Sequence, residues 1–392
     1  MTNPVKTHFL KLILVAMAGI AVFSIASFAG NLKTAQGDAS VLLQKVRNAK
    51  SEEEKNIQLD HLATFKPVTV ADVDLLTKTV AHQEDRLGKA ASRSLLNIEA
   101  GSNDLILRLF NSDSKKVHLL GFQISLKLMA KEVAPKILSL LAAQPRFRIK
   151  AMDFGGATTA NLEYIQQAAE ALAGLADQMA IDEILSRDEI MAIPSYGGPL
   201  IAKYGASALP KIIAVARRQD TSRSEGAKTA ISVMDDEAAI PLLTPLLQDN
   251  DPSIKRAAVN GLISIYKKTG ADRNLVEKTL KRELDSKDAA LRARAYEGLL
   301  ELDSGKYLPM ALEALKRDGD VRPTVLYALM RLRIQEAVPA LKEFIKDDEI
   351  ANPHWTTDRK MAAQAIYKIT GERVPYKGLE EDQRFYKDPY NP

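Results

Sequence analysis

The sequence predicts an all-α fold, an α-solenoid of about eight or nine antiparallel helix pairs. Ala, Leu and Lys dominate the segments with helical periodicity, whereas the alternating β-branched pattern that marks strands is almost absent. The chain has 392 residues, of which 46% are hydrophobic and 6% aromatic, and this length exceeds the usual size of a single hydrophobic core. A phrase of two helices also recurs along most of the chain. These observations together favour a stack of aliphatic helix pairs.

The N-terminal segment has the three parts of a secretory signal peptide. Lys6 and Lys11 supply positive charge, residues 12–23 form an apolar run, and Ala29 is a small residue at a suitable cleavage position. We expect residues 1–29 to be a signal peptide and the mature protein to be periplasmic or secreted. The alternative is an inner-membrane anchor through residues 12–29, which leaves the rest of the chain on the same side of the membrane. The chain has no Cys, so no thiol could mispair in an oxidising compartment.

The first helix of the repeated phrase begins with an apolar residue followed by proline. The copies contain Pro135, Pro210, Pro241, Pro309 and Pro339. Apolar or small residues follow two and six positions later, on one face of a helix. Proline is tolerated in the first turn of a helix because the N–H that it lacks has no partner there. We therefore predict that each of these prolines lies in a first turn.

The second helix of the phrase follows a short turn that contains Asp or Ser. Small residues then stand at helical spacing in each copy, as in Ala258 and Gly261, Ala295 and Gly298, Val325 and Ala328, and Ala362 and Ala365. Small side chains on one face allow a neighbouring helix to approach closely. This pattern predicts that the second helices pack against each other from one pair to the next.

With this phrase the chain resembles the HEAT-like repeat family in its short bacterial form, the PBS lyase HEAT-like type. Residues 238–270 match the pattern best, and the resemblance extends from about residue 70 to 370. It implies an armadillo-like or HEAT superhelix. Accordingly we expect a helical cap at residues 30–66, a repeat array at 67–374, and a C-terminal extended tail at 375–392, either laid on the last helices as a strap or disordered.

Two irregular stretches interrupt the repeat and are the first candidates for partner binding. The first runs from residue 144 to 161 and the second from 186 to 205, and insertions in a solenoid usually form loops on one face. The candidate side chains, with the only Trp of the chain, are Arg146, Phe147, Arg148, Lys150, Phe154, Tyr196 and Trp355. The alternatives are turn glycines in both stretches, a solvated basic loop at 146–150, and a Trp that covers the end of the core.

Acidic and basic residues recur together near the starts of the second helices. They are Asp251, Lys255, Asp288, Arg292, Asp320, Arg322, Asp358 and Arg359. The resemblance implies that such residues link adjacent repeats as a structural ladder of hydrogen bonds and ion pairs, for which the planar guanidinium group of arginine is suited. The alternative is a basic track that captures anionic ligands.

Reactive residues are few, and we expect neither catalysis, nor a cofactor, nor a metal. His61, His82, His118 and His354 share no metal-ligand spacing, and no hydrolase or metalloprotease motif occurs. The formal charge of +4 is small, with both signs interspersed, so no nucleic-acid partner is indicated.

Export, repeat architecture and the lack of chemistry together predict a scaffold that binds a protein or peptide partner in the cell envelope. Membrane contact is expected only through an uncleaved N-terminal segment. The alternatives are a structural subunit of a membrane-anchored complex and a HEAT-like lyase or chaperone, which the export signal disfavours because those proteins act in the cytoplasm.

Overall fold

A computed structural model describes residues 38–83, 85–146, 156–218, 221–346, 355–376, 379–385 and 388–390. Within these ranges the regular structure consists of α-helices and short 3-10 helices, without a strand. The all-α prediction is therefore confirmed for the described residues. The chain divides into two compact units, one formed by Met1–Pro145 and Phe154–Asp177 and the other by Arg146–Asp153 and Gln178–Pro392.

The described residues of unit 1 form four antiparallel helix pairs. In chain order its helices are α1 (Ala39–Asn48), α2 (Glu52–Thr64), α3 (Val70–His82), α4 (Arg86–Leu95), α5 (Asn103–Leu109), α6 (Lys115–Leu128), α7 (Ala134–Ala142) and α8 (Gly156–Gly174). The pair α1–α2 occupies most of the stretch expected as the N-terminal cap.

Unit 2 continues with six further pairs, the first of which is irregular. Its helices are α9 (Ile181–Leu185), α10 (Asp188–Met191), α11 (Pro194–Ala202), α12 (Leu209–Ala216), α13 (Thr221–Ser232), α14 (Ile240–Leu243), α15 (Pro252–Thr269), α16 (Arg273–Glu283), α17 (Ala289–Leu302), α18 (Ser304–Arg317), α19 (Arg322–Arg331), α20 (Val338–Lys346), α21 (Trp355–Thr370) and α22 (Leu379–Phe385). With α10 and α11 counted together as the second helix of one pair, the described chain holds nine pairs from α3 to α21.

The helix starts largely follow the predicted proline pattern. Pro135, Pro210 and Pro241 lie in the first turns of α7, α12 and α14. The prediction is wrong for Pro309, which lies inside α18. The reason is the side chain of Asp303, which accepts a hydrogen bond from the Lys306 N–H at 3.0 Å and so starts the helix upstream of the proline.

Small residues bring the second helices close together, as predicted. A Cβ atom built on Gly261 of α15 would lie 2.4 Å from the carbonyl oxygen of Ile231 in α13, closer than any real Cβ contact. Around this position Ile254, Ala258 and Leu262 are buried. The apolar face of α15 thus packs directly on the backbone of the preceding second helix.

Candidate partner-binding surfaces

The first predicted binding stretch is described only at its edge. Arg146 donates its Nη2 to Oε2 of Glu183 at 2.8 Å, and 54% of the Arg146 side chain is exposed. The predicted residues Phe147, Arg148, Lys150 and Phe154 lie outside the described residues. Their role in partner binding stays a prediction.

The second stretch lies in the irregular first helix pair of unit 2, but the expectation that residues 186–205 form a loop is wrong for most of their length. Residues 188–191 and 194–202 form α10 and α11, and Tyr196 lies partly buried on α11. A Cβ on Gly198 would lie 2.6 Å from Cγ2 of Thr229, and a Cβ on Gly226 would lie 2.3 Å from the Met191 carbonyl oxygen. Gly198 and Gly226 therefore allow α11, α10 and α13 to pack closely, and Gly198 does not form a turn.

Trp355, the last of the predicted partner-binding residues, is the first residue of α21. Its side chain lies outside the described part of the structure, so the choice between a core cover and an exposed anchor stays open at this position.

A buried ionic cluster fixes the start of unit 2. The Arg187 side chain is fully buried and donates to Glu183 at 2.8 Å and to the equally buried Glu189 at 2.5 Å. Beside it, Arg223 lies 3.0 Å from Asp188. Burying charges is costly unless they are paired, so these groups are committed to one another. The cluster is not among the predicted sites, although Glu183, Asp188 and Glu189 lie within four residues of Arg187 in the sequence.

The predicted ladder residues lie along the second helices of unit 2. Asp251 and Asp288 cap α15 and α17, each accepting a hydrogen bond from a backbone N–H in the first turn. The contact from α15 to the next repeat is made by Arg256, whose Nη1 donates to Asp288 Oδ2 at 2.6 Å. Arg256 directly follows the predicted Lys255.

The next two repeats are joined in the same manner. Arg292 donates to both carboxylate oxygens of Asp318, at 2.7 and 3.2 Å, and lies 3.4 Å from the predicted Asp320. The hydrogen bond from Arg292 holds the pKa of the Asp318 carboxyl below its ordinary value. Arg322 then pairs with Asp358 at 3.6 Å, with both side chains buried.

An exposed basic track along these helices would need cations that face solvent. Arg322 and Arg359 are 4% and 1% exposed, respectively. These two arginines lie in the interior of unit 2 and cannot contribute to such a track.

His118 is a core residue rather than a metal ligand or catalytic base. Its Nε2 donates to the Ser112 carbonyl oxygen at 2.7 Å, which leaves Nδ1 to accept from the Tyr164 hydroxyl at 2.8 Å. Burial lowers the pKa of His118 and raises the pKa of Tyr164 to about 12, so both groups are neutral near pH 7. Among the described residues, no three His, Cys, Asp or Glu side chains are grouped as a metal site. His61 and His82 lie on α2 and α3, and His354 is outside the described residues.

A cleft of about 590 Å³ opens between α18 and α20, the first helices of two consecutive repeats. Leu312, Leu315 and Phe344 provide its apolar lining. Glu313 and Lys316 also line it, as do Glu343 and Lys346, which lie 30 residues further along the sequence. The cleft therefore combines apolar surface with charges of both signs.

The C-terminal strap, which we define as residues 371–376, 379–385 and 388–390, includes the described residues of the tail predicted at 375–392 and lies on α21. Gln364 of α21 donates to the Pro389 carbonyl oxygen at 2.7 Å, and the Tyr390 hydroxyl donates to the Val374 carbonyl oxygen at 2.7 Å. The Arg373 guanidinium lies 5.3 Å from the ring centre of Tyr390. The strap also contains the short helix α22, so this part of the predicted extended tail is helical.

No helix in the described ranges is both long and apolar enough to cross a bilayer. The predicted signal peptide or anchor falls within residues 1–37, which lie outside those ranges.

Comparison with known proteins identifies the repeat. Residues 276–357 match the family model of HEAT repeats. This match, together with the stacked helix pairs of each unit, confirms the predicted HEAT-like family resemblance and the predicted α-solenoid class. No curated protein matches the sequence.

Several solved structures are similar in fold at low identity. Kap121p matches with 10% identity and a TM-score of 0.42 over 89% of this chain and 42% of its own length. The Kap95:Nup1 complex matches with 14% identity and a TM-score of 0.38 over 93% and 55%. Human deoxyhypusine hydroxylase in complex with glycerol matches with 16% identity and a TM-score of 0.28 over 77% and 97%. This chain thus spans less than half the length of Kap121p, and likenesses of this degree carry no argument about function.

Proposed function

Because the chain is a HEAT-repeat helical scaffold, we propose that it is exported and holds a protein or peptide partner in the cell envelope, without catalysing a reaction. HEAT arrays present extended surfaces made by successive helices, and this geometry suits the binding of another chain. Fold alone does not specify an activity, so the proposal depends on the surfaces of this particular array.

The cleft between α18 and α20 is the observation that carries the proposal. It lies within the segment that matches the HEAT model, and its volume of about 590 Å³ is enough for several side chains of a partner. Its apolar lining supplies surface that a partner would remove from water, and the charges beside that lining would fix the orientation of the partner. A protein segment with apolar and charged residues fits such a cleft.

The polar residues of the second helices support a scaffold over an enzyme. Arg292 and Arg322 hold aspartates of neighbouring repeats, and His118 is hydrogen-bonded within the core of unit 1. Groups committed to packing in this way are not available to bind and transform a substrate.

The location in the envelope is supported by the sequence of the N-terminus. Residues 1–29 combine lysines, an apolar run and a small residue at the cleavage position, and the chain contains no Cys. Cell fractionation with intact-mass measurement tests this part. We expect an envelope or secreted form that lacks residues 1–29. Cytoplasmic protein that retains Met1 would contradict export, whereas exported protein that retains Met1 and needs detergent would favour the anchored complex.

Partner binding is tested by a photoreactive amino acid placed at Glu313 in the living cell. We expect one recurring protein in the cross-linked product, and we expect that product to disappear when Leu312 is replaced by lysine. A photoreactive residue at the exposed Glu237, outside the residues that line the cleft, is the matched control. Equal capture from positions 237 and 313, or no capture from position 313, would count against the cleft as the binding site.

A further inference from the structure

The second helices α4 and α6 of unit 1 carry only basic charges. Together they contain six Lys or Arg residues and no Asp or Glu, although the whole chain is nearly balanced with 54 basic and 50 acidic residues. Such segregation of charge on two neighbouring helices creates a local positive potential that the net charge of the protein does not reveal.

Five of these cations lie on α4 or reach its ends, and we call them the basic strip. On α4, Arg86, Lys89 and Arg93 are exposed and stand at i, i+3 and i+7, which places them on one helix face. From α6, Lys116 Nζ lies 3.3 Å from the carbonyl oxygen of Gln83, just before α4. Lys127 Nζ lies 2.8 Å from the carbonyl oxygen of Leu96, just after α4. The two lysines thus bracket α4, whose N-terminal end also carries the capping carboxylate of Asp85.

Little of this charge is neutralised within the protein. Arg86 makes one exposed ion pair, with Glu52 at 3.3 Å. Lys116 and Lys127 contact carbonyl oxygens, which leave the full charge of each ammonium group in place. Lys89 and Arg93 have no acidic partner within 4.0 Å among the described residues. The middle of the strip is therefore free to pair with an external anion.

A cleft of about 470 Å³ runs beside the strip, between α2 and α4. Its lining combines the three cations of α4 with apolar atoms of Leu59 and Ala63. Asp60 is the single carboxylate among the lining residues. The cleft thus offers a concave and partly apolar surface beside an excess of positive charge.

We infer that the basic strip and its cleft bind an acidic, extended segment of a partner protein. Lys89 and Arg93 are one helical turn apart, about 6 Å along the axis, and alternate residues of an extended chain are spaced by about 6.6 Å. Acidic residues at every second position would therefore face the two unpaired cations. The length of α4, about 15 Å, matches four or five extended residues.

Two features favour a protein segment over other anions. The strip presents no aromatic side chain on which nucleic-acid bases could stack, in contrast to surfaces that bind single strands. The unpaired cations also lie beside a concave cleft with an apolar lining, which accepts the side chains of a peptide but does not fit a flat bilayer surface. The inference rests on the proposed function only in taking the partner to be a protein.

The test is direct binding of a labelled peptide of eight residues, alternating glutamate and serine, to the full-length protein at low ionic strength. Fluorescence anisotropy should show saturable binding that weakens as salt is added. The double variant Lys89→Glu with Arg93→Glu should weaken binding by at least about tenfold, since two attractions become repulsions. The matched control, Lys45→Glu with Arg47→Glu on the exposed face of α1, changes the net charge equally and should stay within about twofold of the wild type.

Control peptides, control variants and other anionic ligands define the results that would overturn the inference. The inference fails if the octapeptide does not bind, if a glutamine-serine peptide binds equally well, or if the control variant loses as much affinity as the test variant. It also fails if an oligodeoxythymidine or an anionic vesicle of matched charge binds more tightly and loses binding in the same variant. Lys89→Gln with Arg93→Gln replaces the reversal if circular dichroism shows that the reversal misfolds. Cross-linking at position 313 and export involve neither residue, so their failure would leave this result standing.

Discussion

Replacing Arg322 by alanine should strongly destabilise the last repeats of unit 2. The Arg322 side chain is 5% exposed and its partner Asp358 is 2% exposed. Arg322 also donates to the carbonyl oxygens of Leu315 and Lys316, at 2.6 and 3.1 Å. The substitution removes the cation that faces the buried carboxylate and leaves both carbonyl groups at the end of α18 without this donor.

The magnitude follows from the burial of the pair. Removing one partner of a buried ion pair costs about 3–5 kcal/mol because the other charge stays buried. Exposed pairs contribute about 0.2–1 kcal/mol. Arg317, five residues upstream, is 79% exposed and pairs with Glu313 at 2.6 Å, so Arg317→Ala is a matched control that should cost less than about 1 kcal/mol.

The assay is urea unfolding followed by the fluorescence of Trp355, the only Trp of the chain and the first residue of α21. The free energy of unfolding falls by about 1–3 kcal/mol for each M of urea, so a loss of about 3 kcal/mol in stability lowers the unfolding midpoint by about 1–3 M. The double variant Arg322→Met with Asp358→Leu should lose less than Arg322→Ala, because no unpaired charge remains. Equal midpoints for Arg322→Ala and Arg317→Ala would refute the reasoning.

Three further outcomes are expected. Gly226→Ala places a methyl group against a backbone carbonyl oxygen and should lower the free energy of unfolding by about 1–3 kcal/mol, whereas the methyl group of Gly305→Ala meets only an ordinary van der Waals contact, with Asp303 Oδ1 at 3.7 Å, and should cost nothing. Equal effects would contradict the close packing at Gly226. Burial lowers the pKa of His118, so just below pH 6.5 the unfolded state binds more protons than the folded state. The stability of unit 1 should therefore fall as the pH drops through that range, and His118→Gln should make stability depend less on pH. An unchanged slope in that variant would contradict the assignment. Tyr390→Ala removes a buried ring from the C-terminal strap and should speed proteolysis of residues 371–390, while cleavage at the wild-type rate would argue against a docked strap.

Much of the fold follows from the sequence because the repeat signals are local. Proline in the first turn, an aspartate cap and small residues at helical spacing each act within one or two turns of a helix. Pro309 departs from the pattern because the cap at Asp303 competes with it. The stretch at 194–202 departs because glycines that suit a turn also suit close packing on α13, and only the neighbouring helix decides between the two.

The surfaces were harder to predict than the helices. The contact between repeats is made by Arg256 instead of the predicted Lys255. Consecutive side chains on an α-helix point in directions about 100° apart, so an error of one residue selects the wrong side of the helix. The basic strip had a visible signal, since residues 86–95 and 115–128 contain no Asp or Glu. Its continuity depends on Lys116 and Lys127 reaching both ends of α4, which the sequence does not show.

The arginine contacts between repeats also bear on how such a chain can change in length. Arg256 reaches Asp288, and Arg322 reaches Asp358, so these two interfaces are held by the same pair of side-chain types. Excision of residues 292–321 would remove one period and place Arg322 directly after Leu291. Both contacts lie outside the excised segment, so each arginine keeps its aspartate partner. Whole repeats could thus be lost or duplicated in evolution without a new interface chemistry.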